Sequence, residues 1–163
     1  MSGLKGKKYY TNKGKVTTFT SSGYYHAKET RNIDYLVVAG GGGGGAWYAG
    51  GGGAGGFLTS RDESFPVTAG TTYKITVGGG GRHGFNRGFY SQTPAGGGMG
   101  GDSIISTATG TVLVTAKGGG GGGGWATSGP EAYHGPYLGG SGGGATGSLA
   151  YPQPDPGSQV HWS

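Results

Sequence analysis

The sequence contains no cysteine. That removes disulfides, thiol nucleophiles and cysteine-based metal sites, and leaves the redox compartment open. Charged residues make up only 12% and apolar residues, glycine not counted, 32%, whereas globular domains carry roughly 38–43% on that count, the usual ~45–50% less the ~7% that is glycine. An ordinary hydrophobic core of this size is therefore excluded. No apolar run approaches the ~20 residues of a membrane span, and the opening stretch MSGLKGKKYY has no hydrophobic signal region. The expectation is no membrane insertion, and release inside a particle rather than through a secretory peptide. With seven prolines and no strict Gly-X-Y period, a collagen triple helix is excluded. No stretch of ten residues carries helical periodicity.

What is abundant is glycine, 45 of the 163 residues. Glycine loses the most backbone entropy on folding and offers no side chain to bury. Composition alone would predict disorder, so an ordered chain needs a compensating term. Tyrosine, with 11 copies, is the main large residue, and it suits half-buried sheets where the hydroxyl stays wet. The net charge is +5. Lys5, Lys7, Lys8, Lys13 and Lys15 lie in the first fifteen positions, either as a solvated arm or as a docking segment for an acidic partner.

Short strand signals punctuate the chain. KVTTFT (15–20) is β-branched and aromatic, with SSG ending it. DYLVVA (34–39) reads as a buried strand, and SFPVT (64–68) as an edge because of Pro66. AG turns the chain into TTYKITV (71–77), which alternates with the period of a one-sided sheet. SIIS (103–106) and TVLVTA (111–116) follow, with TATG between them as a hairpin candidate. The class expected is all-β.

Glycine tracts lie at 40–45, 50–56, 78–81, 96–101, 118–124 and 139–144, and several directly continue a strand. A linker would have no reason to abut strand ends repeatedly. Polyproline-II geometry has three residues per turn and points every N–H and C=O outward. Without Cβ atoms, such helices can lie side by side and hydrogen-bond to one another. Many backbone bonds of about 1 kcal/mol each would then replace the missing core. The fold expected is a small antiparallel β-sandwich, jelly-roll-like, with packed polyglycine-II helices.

Gly40, Gly42 and Gly45 match the dinucleotide pattern G-x-G-x-x-G after a strand. Any glycine run produces that match. The motif needs a following helix to hold the pyrophosphate, and AWYAGGGGAGGF offers none. No glycine run ends in the Lys-Ser or Lys-Thr of a phosphate loop. Of the seven acids only Asp62 and Glu63 are adjacent. The histidines, His26, His83, His134 and His161, lack metal-ligand spacing. Ser141 in GGSGGGA imitates a nucleophile elbow without its helix. The expectation is no enzyme, no catalytic residue, no metal and no cofactor. GGRHGFNRGFY (80–90) interleaves arginine and aromatics but occurs once rather than as an array, so no nucleic acid is expected.

The remaining pattern is in the loops between tracts. They hold Trp47 and Tyr48; Arg82, His83, Phe85, Asn86, Arg87, Phe89 and Tyr90; then Trp125, Tyr133, His134 and Tyr137. A stiff scaffold that presents aromatic, Arg and Asn loops suits recognition of a glycan or a protein surface. The same aromatics would equally serve to cap the glycine layer or to contact another subunit.

DYLVVAGGGGGGA, PVTAGTTYKITVGGGG, GGDSII, VTAKGGGGGGG and GGSGGGA, in this order, resemble the glycine-rich domain of bacteriophage tail proteins over about 34–147. The style is also similar to tail-tip adhesins whose stacked glycine helices present receptor-contacting loops. The resemblance implies a virion component at the tail or another exposed surface. Three segments are expected: a basic attachment segment at 1–30, joining other virion proteins; the glycine-rich domain at 31–147; and a Pro-rich segment at 148–163. A homo-oligomer is expected because a thin layer leaves unpaired edges. Trimers are common among phage fibres. The expected functions are recognition of a host cell-surface glycan or protein or, alternatively, a structural or decorating role in which the loops touch only other virion proteins.

Overall fold

The computed structural model describes residues 15–46, 49–60, 65–85, 96–125, 133–134 and 139–144. It is all-β, with antiparallel pairing throughout and no helix among the described residues. The strands are β1 (Gly23–His26), β2 (Arg31–Ile33), β3 (Leu36–Val38), β4 (Phe57–Thr59), β5 (Phe65–Val67), β6 (Thr72–Thr76), β7 (Ser103–Thr107), β8 (Val112–Ala116), β9 (Gly124–Trp125) and β10 (Tyr133–His134).

Four strands form one sheet in the order β1-β6-β7-β8. The β2–β5 and β3–β4 pairs follow one another along the chain as a two-stranded ribbon. Ser60 joins the two pairs: its N–H donates to the Tyr35 carbonyl, and its hydroxyl accepts the Tyr35 N–H while donating to Asp34. The ribbon packs on the sheet through a small core. Ala27, Val67 and Tyr73 are buried, with Tyr25, Ile33 and Phe65 against them. Phe65 meets Tyr73 and Tyr35 edge-on, at ring separations of 6.1 and 5.9 Å. Aromatic edge contacts suit a core of so few side chains.

The turns behave as their residues require. Gly70 (φ 77°) ends the AG turn, and Gly110 (φ 98°) closes the TATG hairpin between β7 and β8. Both lie in a backbone region that glycine enters without a Cβ penalty.

Two expectations are corrected. No strand forms at 15–20. Its residues are β-branched but have no partner strand among the described residues, and Val16 is 85% exposed. The first strand is instead Gly23–His26, paired with β6. The strand at Leu36–Val38 is not of the fully buried type either: Leu36 and Val38 are 62% and 53% exposed. Only one face of the ribbon is covered, so half of this apolar run points outward.

The glycine tracts are ordered extensions of these strands. The first tract (39–45) continues β3, and the second (49–56) runs back into β4. The third (78–84) continues β6, and the fourth (96–101) runs back into β7. The fifth (117–124) continues β8. Register passes through the change of structure unbroken. Leu36↔Thr59 and Val38↔Phe57 in the strands lead to Ala39 on Gly56, Gly42 on Gly53 and Gly45 on Gly50, with no residue gained or lost. The same holds from Tyr73↔Thr107 to Gly101 on Gly79 and Gly98 on Arg82.

Within the tracts the hydrogen bonds recur every third residue rather than every second. Gly50, Gly53 and Gly56 donate to Gly123, Gly120 and Lys117; Gly40 and Gly43 donate to Gly101 and Gly98. Parallel neighbours use the same step. Gly81 and Gly84 donate to Gly41 and Gly44, Gly119 and Gly122 to Gly40 and Gly43, and Gly120 and Gly123 to Ser141 and Gly144 of the sixth tract (139–144). These bonds define two layers: third, first and second tracts in one, fourth, fifth and sixth in the other. A three-residue step sends successive N–H groups to different neighbours, so one tract bonds to several others.

Candidate functional site

Because the first, third and fifth tracts all leave the sandwich and run parallel, the chain turns at one far end. The bond from Gly45 to Gly50 joins the two sides of the first predicted loop at its base. Gly84 donates to Gly44 and is buried, which anchors the chain just before Phe85. Gly124 and Trp125 pair with His134 and Tyr133 as β9 and β10. The structure therefore gathers at one end of the glycine bundle both bases of the first two predicted loops and the start of the third, whose other base re-enters at the sandwich end, where Gly140 donates to Gly118.

The third tract shows how side chains are admitted. A Cβ at Gly78 or Gly81 would overlap the carbonyls of Gly101 or Gly98, and Gly84 is buried. A Cβ at Gly79 would meet nothing within 4 Å, and at Gly80 nothing closer than 3.8 Å. Three residues further on from these open positions stand Arg82 and His83, both exposed, and then Phe85, 55% exposed. The His83 and Phe85 rings lie 4.9 Å apart. The three-residue period thus sets Arg82 and Phe85 along one open line and His83 on the next. They offer a guanidinium, an imidazole and an aromatic face on backbone locked by the neighbouring tracts.

Of the predicted site residues, Arg82, His83 and Phe85 are placed together. Trp125, Tyr133 and His134 are placed by their strand pairing, which loop reasoning had missed. Trp47, Tyr48, Asn86, Arg87, Phe89, Tyr90 and Tyr137 lie outside the described residues. Among the described residues no group of three His, Asp or Glu side chains is arranged to hold a metal. No described helix is long and apolar enough to cross a membrane.

The polar side chains that matter most lie at the other end of the bundle. Ser103 is 3% exposed, and its hydroxyl donates to the Val38 carbonyl and accepts the Gly78 N–H. Asp102 accepts the Gly118 N–H at 2.8 Å and pairs with Lys117 at 2.8 Å. The Lys117 hydrogen bond, followed by that of Gly118, holds the Asp102 carboxyl below its ordinary value of 3.8. Neither residue was expected from the sequence. The signal available was their position, GGDS, where a tract becomes a strand.

Residues 16–160 match the family model of a glycine-rich domain, and the chain belongs to that family. Comparison with curated proteins and with solved structures found no match.

Proposed function

We propose that the six tracts are polyglycine-II helices and that this bundle is a recognition scaffold of a bacteriophage virion, attached at the tail or another exposed surface. The three-residue hydrogen-bond step supports the helix reading. A jelly-roll winding of the sandwich belongs to the same reading, since the chain leaves β1, crosses to the ribbon layer and returns at β6 beside it. One observation carries the functional reading: the bases of the first two loops and the start of the third meet at one end, with Arg82, His83 and Phe85 exposed on backbone hydrogen-bonded to neighbouring tracts. Rigid presentation of aromatic and cationic groups lowers the ordering cost of binding a glycan or protein surface.

The test is competition. Purified protein should block adsorption of the particle to its host. The Arg82→Ala/Phe85→Ala variant should lose that block while keeping its thermal transition. An unchanged block by the folded variant would overturn the recognition role. The second reading, a decorating subunit with protein contacts only, is favoured by the exposed apolar side chains Leu36, Val38 and Phe57, which lie on the ribbon rather than at the end that carries Arg82, His83 and Phe85. It predicts no competition by either form, and a particle that assembles poorly without the chain.

A further inference from the structure

Charge is unevenly distributed along this molecule. Glu29 lies 4.0 Å from Arg31, Asp34 accepts the Ser60 hydroxyl, and Asp102 pairs with Lys117. All three described carboxylates thus stand on the sandwich or where it meets the tracts, and each has a partner there. Asp62 and Glu63 fall between β4 and β5 in the sequence, and no Asp or Glu occurs from 64 to 101. The three loop sequences hold Arg82 and Arg87 against the single acid Glu131. Among the described residues no carboxylate lies within ion-pair distance of Arg82, whereas Arg31 and Lys117 each have one.

The backbone is held on both sides of Arg82 and His83. The Arg82 carbonyl accepts the Gly98 N–H at 2.7 Å, and the Gly84 N–H donates to Gly44 at 2.8 Å. Arg82 and Phe85 are both exposed, three residues apart on one line, which is roughly 9 Å at the rise of a polyproline-II chain. The His83 ring lies 4.9 Å from that of Phe85, tilted by 46°. A guanidinium is a planar fork of N–H donors that fits two oxygens of a carboxylate or phosphate. Phe85 is a flat apolar face with no polar atom to satisfy. A ligand that serves both carries an anion and, close beside it, a flat apolar surface. The C–H groups on one face of a sugar ring supply that surface, and an acidic saccharide sets its anion on the same short chain. An acidic peptide carries its carboxylates on flexible stems with no such face beside them.

We infer that the line of the third tract at Arg82, His83 and Phe85 binds an acidic saccharide. Arg82 holds its carboxylate or phosphate, Phe85 stacks on the adjoining ring, and His83 offers a ring N–H to a hydroxyl. The inference rests on the recognition role proposed above and narrows its ligand to one chemical class. Because Arg82 is exposed, its share of the binding weakens as salt rises.

Calorimetric titration of the full chain tests it with four probes: trigalacturonate, its neutral methyl ester, a phosphorylated mannose trisaccharide and triglutamate. One or both acidic saccharides should bind at least tenfold more tightly than the ester and triglutamate, and the tighter of the two identifies the anion. This comparison needs no variant. Arg82→Ala should abolish the preference over the ester, and Phe85→Ala should weaken saccharide binding at least fivefold, both with an unchanged thermal transition. Lys5→Gln/Lys7→Gln/Lys8→Gln should leave binding as it is. Ester or triglutamate binding as tight as that of the acidic saccharides, no binding of either acidic saccharide, or a loss that follows the lysines instead of Arg82 would overturn the inference. A chain that blocks adsorption through Arg82 and Phe85 yet binds neither acidic saccharide keeps its recognition role and loses this ligand. A chain that binds them through Arg82 without blocking adsorption keeps the ligand and loses the role.

Discussion

The Ser103 hydroxyl donates to the Val38 carbonyl at 2.8 Å across the interface between sheet and ribbon, and accepts the Gly78 N–H at 2.9 Å. It stands where both hairpins change from a two-residue to a three-residue step. At that point neither the pleat nor the tract lattice supplies a partner for those two backbone groups.

Ser103→Ala should therefore cost about 1–3 kcal/mol, since it strands a donor and an acceptor in a buried position. Denaturant unfolding measures it. A loss below about 0.5 kcal/mol would mean that the junction has other partners for Val38 and Gly78.

Neighbouring glycines should behave in opposite ways. A methyl at Gly78 would overlap the Gly101 carbonyl, and one at Gly42 the Gly120 carbonyl, whereas at Gly79 it meets nothing within 4 Å. The clashing partners are backbone, which has no rotamer to change. Gly78→Ala and Gly42→Ala should each lose about 3 kcal/mol or more, at or above the usual cost of overpacking. Gly79→Ala should be neutral or gain about 0.5 kcal/mol by restricting the unfolded chain. Thermal unfolding of the three variants checks the contrast. Equal effects at Gly78 and Gly79 would contradict the packing described here.

A different penalty applies in the turns. Gly110 has open space around its Cβ direction but a φ of 98°. Gly110→Ala should cost about 1–2 kcal/mol from backbone strain alone, although it clashes with nothing. If unfolding shows no loss, the turn has relaxed to a conformation open to other residues.

Much of this was legible in the sequence because the glycine pattern is itself steric information. The longest uninterrupted run, 118–124, is the tract buried along its whole described length, bonded to four others. The tracts broken by Ala54, Met99 and Ser141 place each intruder on an open line. The meeting of the first two loops with the start of the third was not legible, since it depends on which tracts run parallel. β1 and β2 were missed because GYYH and RNI carry no alternation of apolar and polar residues; their pairing to β6 and β5 is tertiary. The unpaired KVTTFT shows the converse, strand propensity without a partner. Of the candidate site, residue type pointed to Arg82, His83 and Phe85. Their arrangement follows from the three-residue period that places Gly78, Gly81 and Gly84 inward.

Acid should loosen the bundle at the fifth tract. Asp102 bonds Lys117 and the Gly118 N–H, and both hold its carboxyl below 3.8 in the folded chain. A carboxyl depressed on folding contributes stability that is full above its unfolded value and is lost as pH falls through the folded one. Below that, protonated Asp102 no longer offers a charged acceptor to Gly118, the first glycine of the central tract. Stability of the unmodified chain should thus fall on acidification below about pH 4, given an unfolded carboxyl of ordinary value. Asp102→Asn should be less stable at neutral pH and show a shallower fall in this acid range. Lys117 is largely exposed, so Lys117→Ala should remove only part of the effect, leaving the Gly118 bond in place. Parallel acid titrations of unfolding free energy would separate the three forms. An Asp102→Asn curve with the same slope as the unmodified chain would show that other carboxyls set the acid response.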